Sequence, residues 1–402
     1  MTSKDIGFRE FVTLMASLIS MIALSIDVML PALKQIGEEL NAANPNDPQL
    51  VIGLFFLGMA VAQLVYGPLS DSFGRRPMIF LGFGIYLLGS AICLASDSLY
   101  ALIVGRIVQG IGAAGPRIVA NAIIRDRYEG RVMASVTSLV MSVFIVVPVL
   151  APLMGQGIMA ISHWRMIFWV LAVLAFALLI WAAIRLPETL PPNARQPFSI
   201  GRIMRAIWEV LRNRLAFGCT VTMGLIFASF LAFLSSAQQV LGEAYGLGEW
   251  FPITFSCLAT VVGFSSVINS RLVLRMGMQT LANVGIWTII LASSFFVLWS
   301  FALGMPPLPI ALLWLACSVG SIGIVFGNLN AMAMEPLGHI AGIGTAVVGT
   351  LSSLISVVVG TQIARSFDGS GLPIALGYAV FGLCAAAVFW WATKGRVRKV
   401  RT

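Results

Sequence analysis

The chain has 402 residues, of which 59% are hydrophobic and only 10% charged. Soluble domains carry about 25% charge, so a surface this poor in charge must be covered largely by lipid. The net charge of +9 is distributed between apolar runs and forms no patch along one domain, which argues against a nucleic-acid-binding protein.

A membrane-spanning helix needs about 20 apolar residues. Twelve runs meet that length, at about 8–32, 49–70, 77–96, 99–121, 132–157, 164–184, 215–237, 250–270, 280–303, 308–331, 339–363 and 372–393. The first starts near Phe8, has no small-residue cleavage site after it, and leads through polar residues to a second span. It reads as a retained helix and not a signal peptide. Residues 185–214, RLPETLPPNARQPFSIGRIMRAIWEVLRNR, are rich in proline and arginine and cannot span. They are a cytoplasmic linker between an N-terminal six-helix half (1–184) and a C-terminal one (215–402). Within the linker, Ile200 to Leu211 has helical spacing of apolar residues. That helix lies on the membrane surface or serves as a basic connector in water. The expected fold is thus an all-α membrane protein of twelve transmembrane helices in two six-helix halves.

Lysine and arginine set the orientation. Lys34, Arg165 and Arg365 fall on one face, and Arg106 and Arg117 inside spans. All the others, from Lys4 and Arg9 to the basic tail with Lys394, Arg396, Arg398, Lys399 and Arg401, fall on the opposite face. That face is expected to be cytoplasmic and to hold both termini, and it favours anionic lipid.

Ionisable groups inside a membrane are expensive, so each is a candidate site. Asp27, in SIDVMLPAL, lies toward the outer end of the first span. Desolvation raises a carboxylate's pKa, which brings protonation near neutral pH within reach. Asp27 is therefore a candidate for proton or substrate coupling, or else it pins the end of the first helix. Arg106, in GRIVQGIGAAGPR, lies at comparable depth in the fourth span. It meets Asp27, directly or through water, or bonds structurally to backbone carbonyls or a neighbouring helix. Gln109 follows one turn later and can join the same network. Gly105, Gly110, Gly112 and Gly115 give that helix a small-sided surface suited to close packing in lipid. Arg117, near the inner end, snorkels to the interface or faces a cytoplasmic opening.

The connector GPLSDSFGRRP after the second span has conformational character. Gly67 allows close approach, Gly74 permits a turn, and Asp71 can pair with Arg75 or Arg76. In the fifth span Pro148 and Pro152 share a face and precede Gly155, which suits a kinked helix or simple bent packing. The second half has no ionisable residue deep in a span. Its polar candidates are Gln238, Gln239, Asn269, Asn283, Asn328 and Asn330, set among Phe, Trp and Met that suit bulky apolar compounds. Cys93, Cys219, Cys257, Cys317 and Cys384 have no metal-ligand spacing. His163 and His339 sit at loop boundaries on opposite faces. No catalytic constellation, metal cluster or phosphate loop is present in the sequence, so neither an enzyme nor a bound cofactor is expected.

These residues resemble the major facilitator superfamily. GPLSDSFGRRP is similar to its signature loop, GRIVQGIGAAG to its fourth-span pattern, and VLAPLMGQG to its fifth-span antiporter signature. PETL (187–190) is similar to the usual end of the first half. With SIDVMLPAL and IIRDRY, the resemblance extends to the Bcr/CflA branch of drug:proton antiporters. It implies inverted repeats and alternating access around a central cavity. It also implies a monomer in the bacterial inner membrane that exports small amphipathic drugs or toxic compounds in exchange for protons. By the resemblance, Asp27 and Arg106 are the proton-coupling pair. Asp71, Gly74, Arg75 and Arg76 are the conformational loop, and Pro152 and Gly155 the antiporter motif. The chain departs from the pattern at Ala151 and Gln156 in the fifth span. In the second half's loop, NSRLVLRMG, Leu274 and Met278 stand where the first half has Asp71 and Arg75. Efflux or symport of a metabolite such as a sugar or amino acid, or a non-transporting sensor, are the alternative functions.

Overall fold

The computed structural model describes residues 6–394, apart from the side chain of Ala134. Lys4 and the tail residues Arg396, Arg398, Lys399 and Arg401 of the charge pattern lie outside the described residues. The first half contains α1 (Phe8–Asp27), α2 (Leu50–Phe73), α3 (Arg75–Leu94), α4 (Leu99–Arg127), α5 (Gly130–Ile161) and α6 (Trp164–Arg185). The second contains α7 (Arg214–Ala237), α8 (Phe251–Met276), α9 (Met278–Leu303), α10 (Leu308–Met334), α11 (Ala341–Arg365) and α12 (Leu372–Thr393). Each falls on one of the twelve apolar runs. The stretch Leu308–Arg365 is helical throughout its 58 residues, far longer than one span needs. It is broken at Leu337, whose φ of −107° and ψ of 17° are not α-helical, and so forms two spans.

Several boundaries differ from the sequence reading; α4 and α8 each run about six residues further, to Arg127 and Met276, and two other differences have a plain local reason. The first helix stops at Asp27 and not near residue 32. Pro31 stands four residues on; it has no N–H for the Asp27 carbonyl, and its ring clashes there. The chain continues as a tight turn at Leu30–Ala32 and a short helix, Leu33–Glu39. The third helix begins at Arg75, directly after Gly74. Gly74 has φ of +102°, a conformation that side-chain-bearing residues seldom adopt.

The two halves repeat one packing plan. In the first, α1 packs on α4, α5 and α6, α2 on α4, and α3 on α4 and α6. In the second, α7 packs on α10, α11 and α12, α8 on α10, and α9 on α10 and α12. Every pairing recurs six helices later, as expected of a duplicated unit. Close approach rests on glycine where α2 meets α4. A methyl group on Gly58 would overlap the Ile107 carbonyl, and one on Gly110 would overlap the Phe55 carbonyl. Lipid gives helices no hydrophobic drive to associate, so this contact area is what holds them.

The linker is shared between the halves, and the division falls between Ile200 and Gly201. Its extended part lies against the α2–α3 loop, where Gln196 N–H donates to the Asp71 carbonyl at 3.0 Å. The linker helix, Ile200–Arg212, belongs from Gly201 onward to the second half. There Ile203, Ala206 and Val210 are buried, and Glu209 pairs with His339 at 2.7 Å.

Candidate functional site

Two sites emerge in the first half, one inside the helix bundle and one at the α2–α3 loop. The inner site is built on Arg106, whose side chain is wholly buried. Its Nε donates to the Val51 carbonyl of α2 at 3.0 Å, and Nη2 donates to the Ser25 carbonyl of α1 at 3.0 Å. Nη1 donates to Gln109 Oε1 at 2.5 Å, and the guanidinium lies 4.4 Å from the Phe55 ring centroid. Gln109 Nε2 passes the chain on to Ser90 Oγ of α3 at 2.9 Å. Ser25 Oγ meets the Tyr86 hydroxyl of α3 at 2.6 Å. One arginine thus ties α1, α2 and α4 together, and Gln109 and Ser25 extend the tie to α3. A planar guanidinium suits this task because its donors point in several fixed directions.

Asp27 lies two residues beyond Ser25, at the C-terminal end of α1, and is 5% exposed. It has no ion pair or hydrogen bond among the described residues, and none joins it to Arg106. Of the alternatives open for Arg106, the structure shows bonds to backbone carbonyls and Gln109, and no direct contact with Asp27. Helix capping does not account for Asp27 either. The open groups at a helix C-terminus are carbonyls, which an ionised carboxylate cannot bond, and the helix dipole disfavours negative charge there. Gly155 of α5 packs beside it, where any side-chain carbon would overlap the Val28 carbonyl. The fifth-span motif thus touches the chain immediately after Asp27.

Other candidates from the sequence fall in different places. Gln109 is wholly buried with both ends of its amide bonded, so it does not present itself to a ligand. Arg117 lies against α2. Its Nη1 lies 3.6 Å from Met59 Sδ, in the middle of α2. Helical side chains lean toward their helix's N-terminus, which for α4 is the Leu99 end. Pro148 and Pro152 lie inside α5, which continues through both. Gln238 and Gln239 open a π-helical turn, Gln238–Ala244, that prolongs α7, a distortion that recurs at functional sites. Gln238 Oε1 is buried without a partner.

The second site is an ion cluster at the α2–α3 loop. Arg75 Nη1 donates to Asp71 at 2.5 Å and to Ser70 Oγ at 2.8 Å. Its Nε and Nη2 donate to both oxygens of Asp126, at 2.7 and 3.2 Å. Glu188 accepts the backbone N–H groups of Arg75 at 2.9 Å and Arg76 at 3.1 Å. Two arginines at a helix N-terminus oppose the helix dipole, and the Glu188 carboxylate offsets that while satisfying open donors. Arg76 Nη2 donates to the Ala183 carbonyl of α6. A side chain on Gly74 would press on Glu188, 2.6 Å from its carboxylate oxygen. Gly67, by contrast, faces open space, so the close approach expected there is absent. Asp126 and Glu188 lie within the IIRDRY and PETL motifs, but sequence reasoning gave neither a role.

Among the described residues, no such cluster forms at the corresponding loop of the second half. Gly277 takes the place of Gly74, with φ of +79°, and Leu274 is 89% exposed where Asp71 would stand. The second half's loop therefore has a neutral Leu274 in the position where the first half pairs Asp71 with Arg75.

Residues 13–361 match the Major Facilitator Superfamily, and the chain belongs to that family of membrane transporters. It is 29% identical over 393 residues to an uncharacterized MFS-type transporter, YdgK, of Bacillus subtilis, covering 95% of this chain and 96% of the relative. It is 25% identical to the bicyclomycin resistance protein homolog of Haemophilus influenzae, over 93% of each chain. Among solved structures, the xylose transporter XylE of Escherichia coli shares the fold. Its TM-score is 0.73 at 14% identity, covering 94% of this chain and 96% of that one.

Proposed function

We propose that this chain exports small amphipathic compounds, toxic ones among them, across the bacterial inner membrane in exchange for protons by alternating access. Both termini lie in the cytoplasm in this reading, as the lysine and arginine distribution favours. The monomer is the working unit, and surrounding lipid is its only obligatory neighbour. The similarity to a bicyclomycin resistance protein homolog supports the choice of cargo.

The observation that carries the coupling is Asp27. A carboxylate buried without a partner is costly to keep charged, and binding a proton removes that cost. Taking up and releasing one proton at Asp27 as access alternates would couple cargo to the proton gradient. Arg106 acts beside it by position: it holds the Ser25 carbonyl and so fixes the end of α1. The cluster around Arg75 would hold one arrangement of the first half and open in another.

The test is transport by the full chain in proteoliposomes with an imposed pH gradient, using cationic, neutral and anionic probes. Gradient-driven movement should vanish on adding an uncoupler and in Asp27→Asn. An Asp27→Asn protein that still concentrates probe against its gradient would sink the proton role.

A further inference from the structure

Several arginines of the first half have strong acceptors of their own. Arg75 has two carboxylates, Arg106 three acceptors, and Arg165 and Arg185 a glutamate each. Arg117, inside α4, has only the thioether of Met59 at 3.6 Å, a weak acceptor for one of five donors. No carboxylate pairs with it among the described residues. It is partly exposed and so within reach of a ligand.

The face of α2 that carries Met59 also carries Gln63 and Tyr66, at helical spacings of four and seven. They are 6% and 4% exposed, and Gln63 Nε2 and the Tyr66 hydroxyl have no partner. The Tyr66 ring reaches α4, lying 2.7 Å from where a methyl on Gly115 would be. Ser20 Oγ of α1, which also packs on α4, is buried and unpartnered as well. Each of these groups can donate a hydrogen bond: a guanidinium, an amide nitrogen and hydroxyls, the last of which can also accept. A group that supplies acceptors and negative charge would suit all of them.

We infer that Arg117, with Gln63 and Tyr66, is a binding site for the acidic group of the cargo, so that the chain takes amphipathic monoanions: a carboxylate or sulfonate on an apolar body. This deepens the export reading and rests on it. A guanidinium holds such a group through paired, charge-assisted hydrogen bonds. The adaptable Met59 beside it suits the apolar remainder.

The experiment compares naphthalene-1-sulfonate with its neutral counterpart, naphthalene-1-sulfonamide, by titration calorimetry on the purified full chain. The wild type should bind the sulfonate more tightly by a factor of about ten or more. Arg117→Gln should erase that preference while leaving sulfonamide affinity within about twofold, and Arg117→Lys should keep part of it. Equal wild-type affinities, or equal losses for both probes in Arg117→Gln, would overturn the inference. If Arg117→Gln does not fold, the wild-type comparison and Arg117→Lys decide. Gradient-driven transport of tetraphenylphosphonium separates the two readings. If it moves while the sulfonate is not preferred, the anion site falls and proton-driven export stands; if no probe moves, both fall.

Discussion

Arg106→Lys separates a structural arginine from a coupling one. The substitution keeps the charge but replaces a fork of donors by a single point that is shorter in reach. The wild-type guanidinium serves acceptors on α1, α2 and α4 at 3.0, 3.0 and 2.5 Å. A lysine ammonium can keep only part of that set, and two bonds are expected to go. A hydrogen bond to a charged group contributes about 1.5–3 kcal/mol. The Val51 carbonyl lies within a helix and retains its ordinary bond there, so the lower end applies: about 3 kcal/mol for two. Looser stacking on Phe55, 4.4 Å from the guanidinium, adds up to about 1 kcal/mol. For a unit of this size each kcal/mol moves the midpoint by roughly 2–4 °C. The melting temperature of the purified protein in detergent, followed by tryptophan fluorescence, should therefore fall by about 6–16 °C. Proton-driven transport measured well below both midpoints should survive in part. A lysine variant that melts with the wild type yet transports nothing would refute this reasoning and return Arg106 to the proton path.

Two further comparisons use paired variants. Asp126 meets Arg75 through both oxygens and its side chain is 18% exposed, whereas Asp71 is 45% exposed. Asp126→Asn should therefore cost about 1–2 kcal/mol and Asp71→Asn less than about 1 kcal/mol, an order that thermal melts would reverse if the cluster were governed by Asp71. Gly110→Ala should destabilise by about 1–3 kcal/mol because its methyl meets the Phe55 carbonyl. Gly67→Ala, in a helix and facing open space, should stabilise by about 0.5–1 kcal/mol, and a loss of melting temperature there would show an unseen neighbour.

The spans were legible because a 20-residue apolar run, in a chain with too little charge to keep it wetted, is stable only inside a bilayer. The asymmetry between the two loops was legible too, since Leu274 cannot do what Asp71 does. Of the partners of Arg106, Gln109 was legible one turn along the helix, but which carbonyls it meets was not, because backbone carbonyls leave no mark on a sequence and Ser25, Tyr86 and Ser90 are unremarkable residues within apolar runs. Asp126 and Glu188 stand 51 and 113 residues from Arg75, and only folding brings them together. The early stop of α1 was written in the sequence at Pro31, four residues past Asp27, but an apolar run masks a helix end. That stop matters to function, because it places Asp27 where the helix ends.

The proposed cargo class has an electrical consequence that transport can measure. One proton entering for one neutral molecule leaving moves one charge inward. With a monoanion leaving, two charges move, because the outgoing negative charge and the incoming proton act in the same sense. Each charge contributes about 2.3 kcal/mol per 100 mV, which is a concentration ratio of roughly 40-fold; two give about 4.6 kcal/mol and about 2,000-fold. A monocation exchanged for one proton moves no net charge and should ignore the potential. In proteoliposomes with a potassium diffusion potential set by valinomycin and no pH difference, naphthalene-1-sulfonate should leave the negative compartment under the potential alone. Tetraphenylphosphonium carried by the protein should not respond, once passive leak in protein-free liposomes is subtracted. Arg117→Gln should remove the first response, and Asp27→Asn should also abolish it, since the exchanged proton would have no site. Protein-dependent sulfonate movement with the same voltage dependence in Asp27→Asn as in the wild type would mean that the anion crosses without a proton, and the exchange would have to be abandoned for anion uniport.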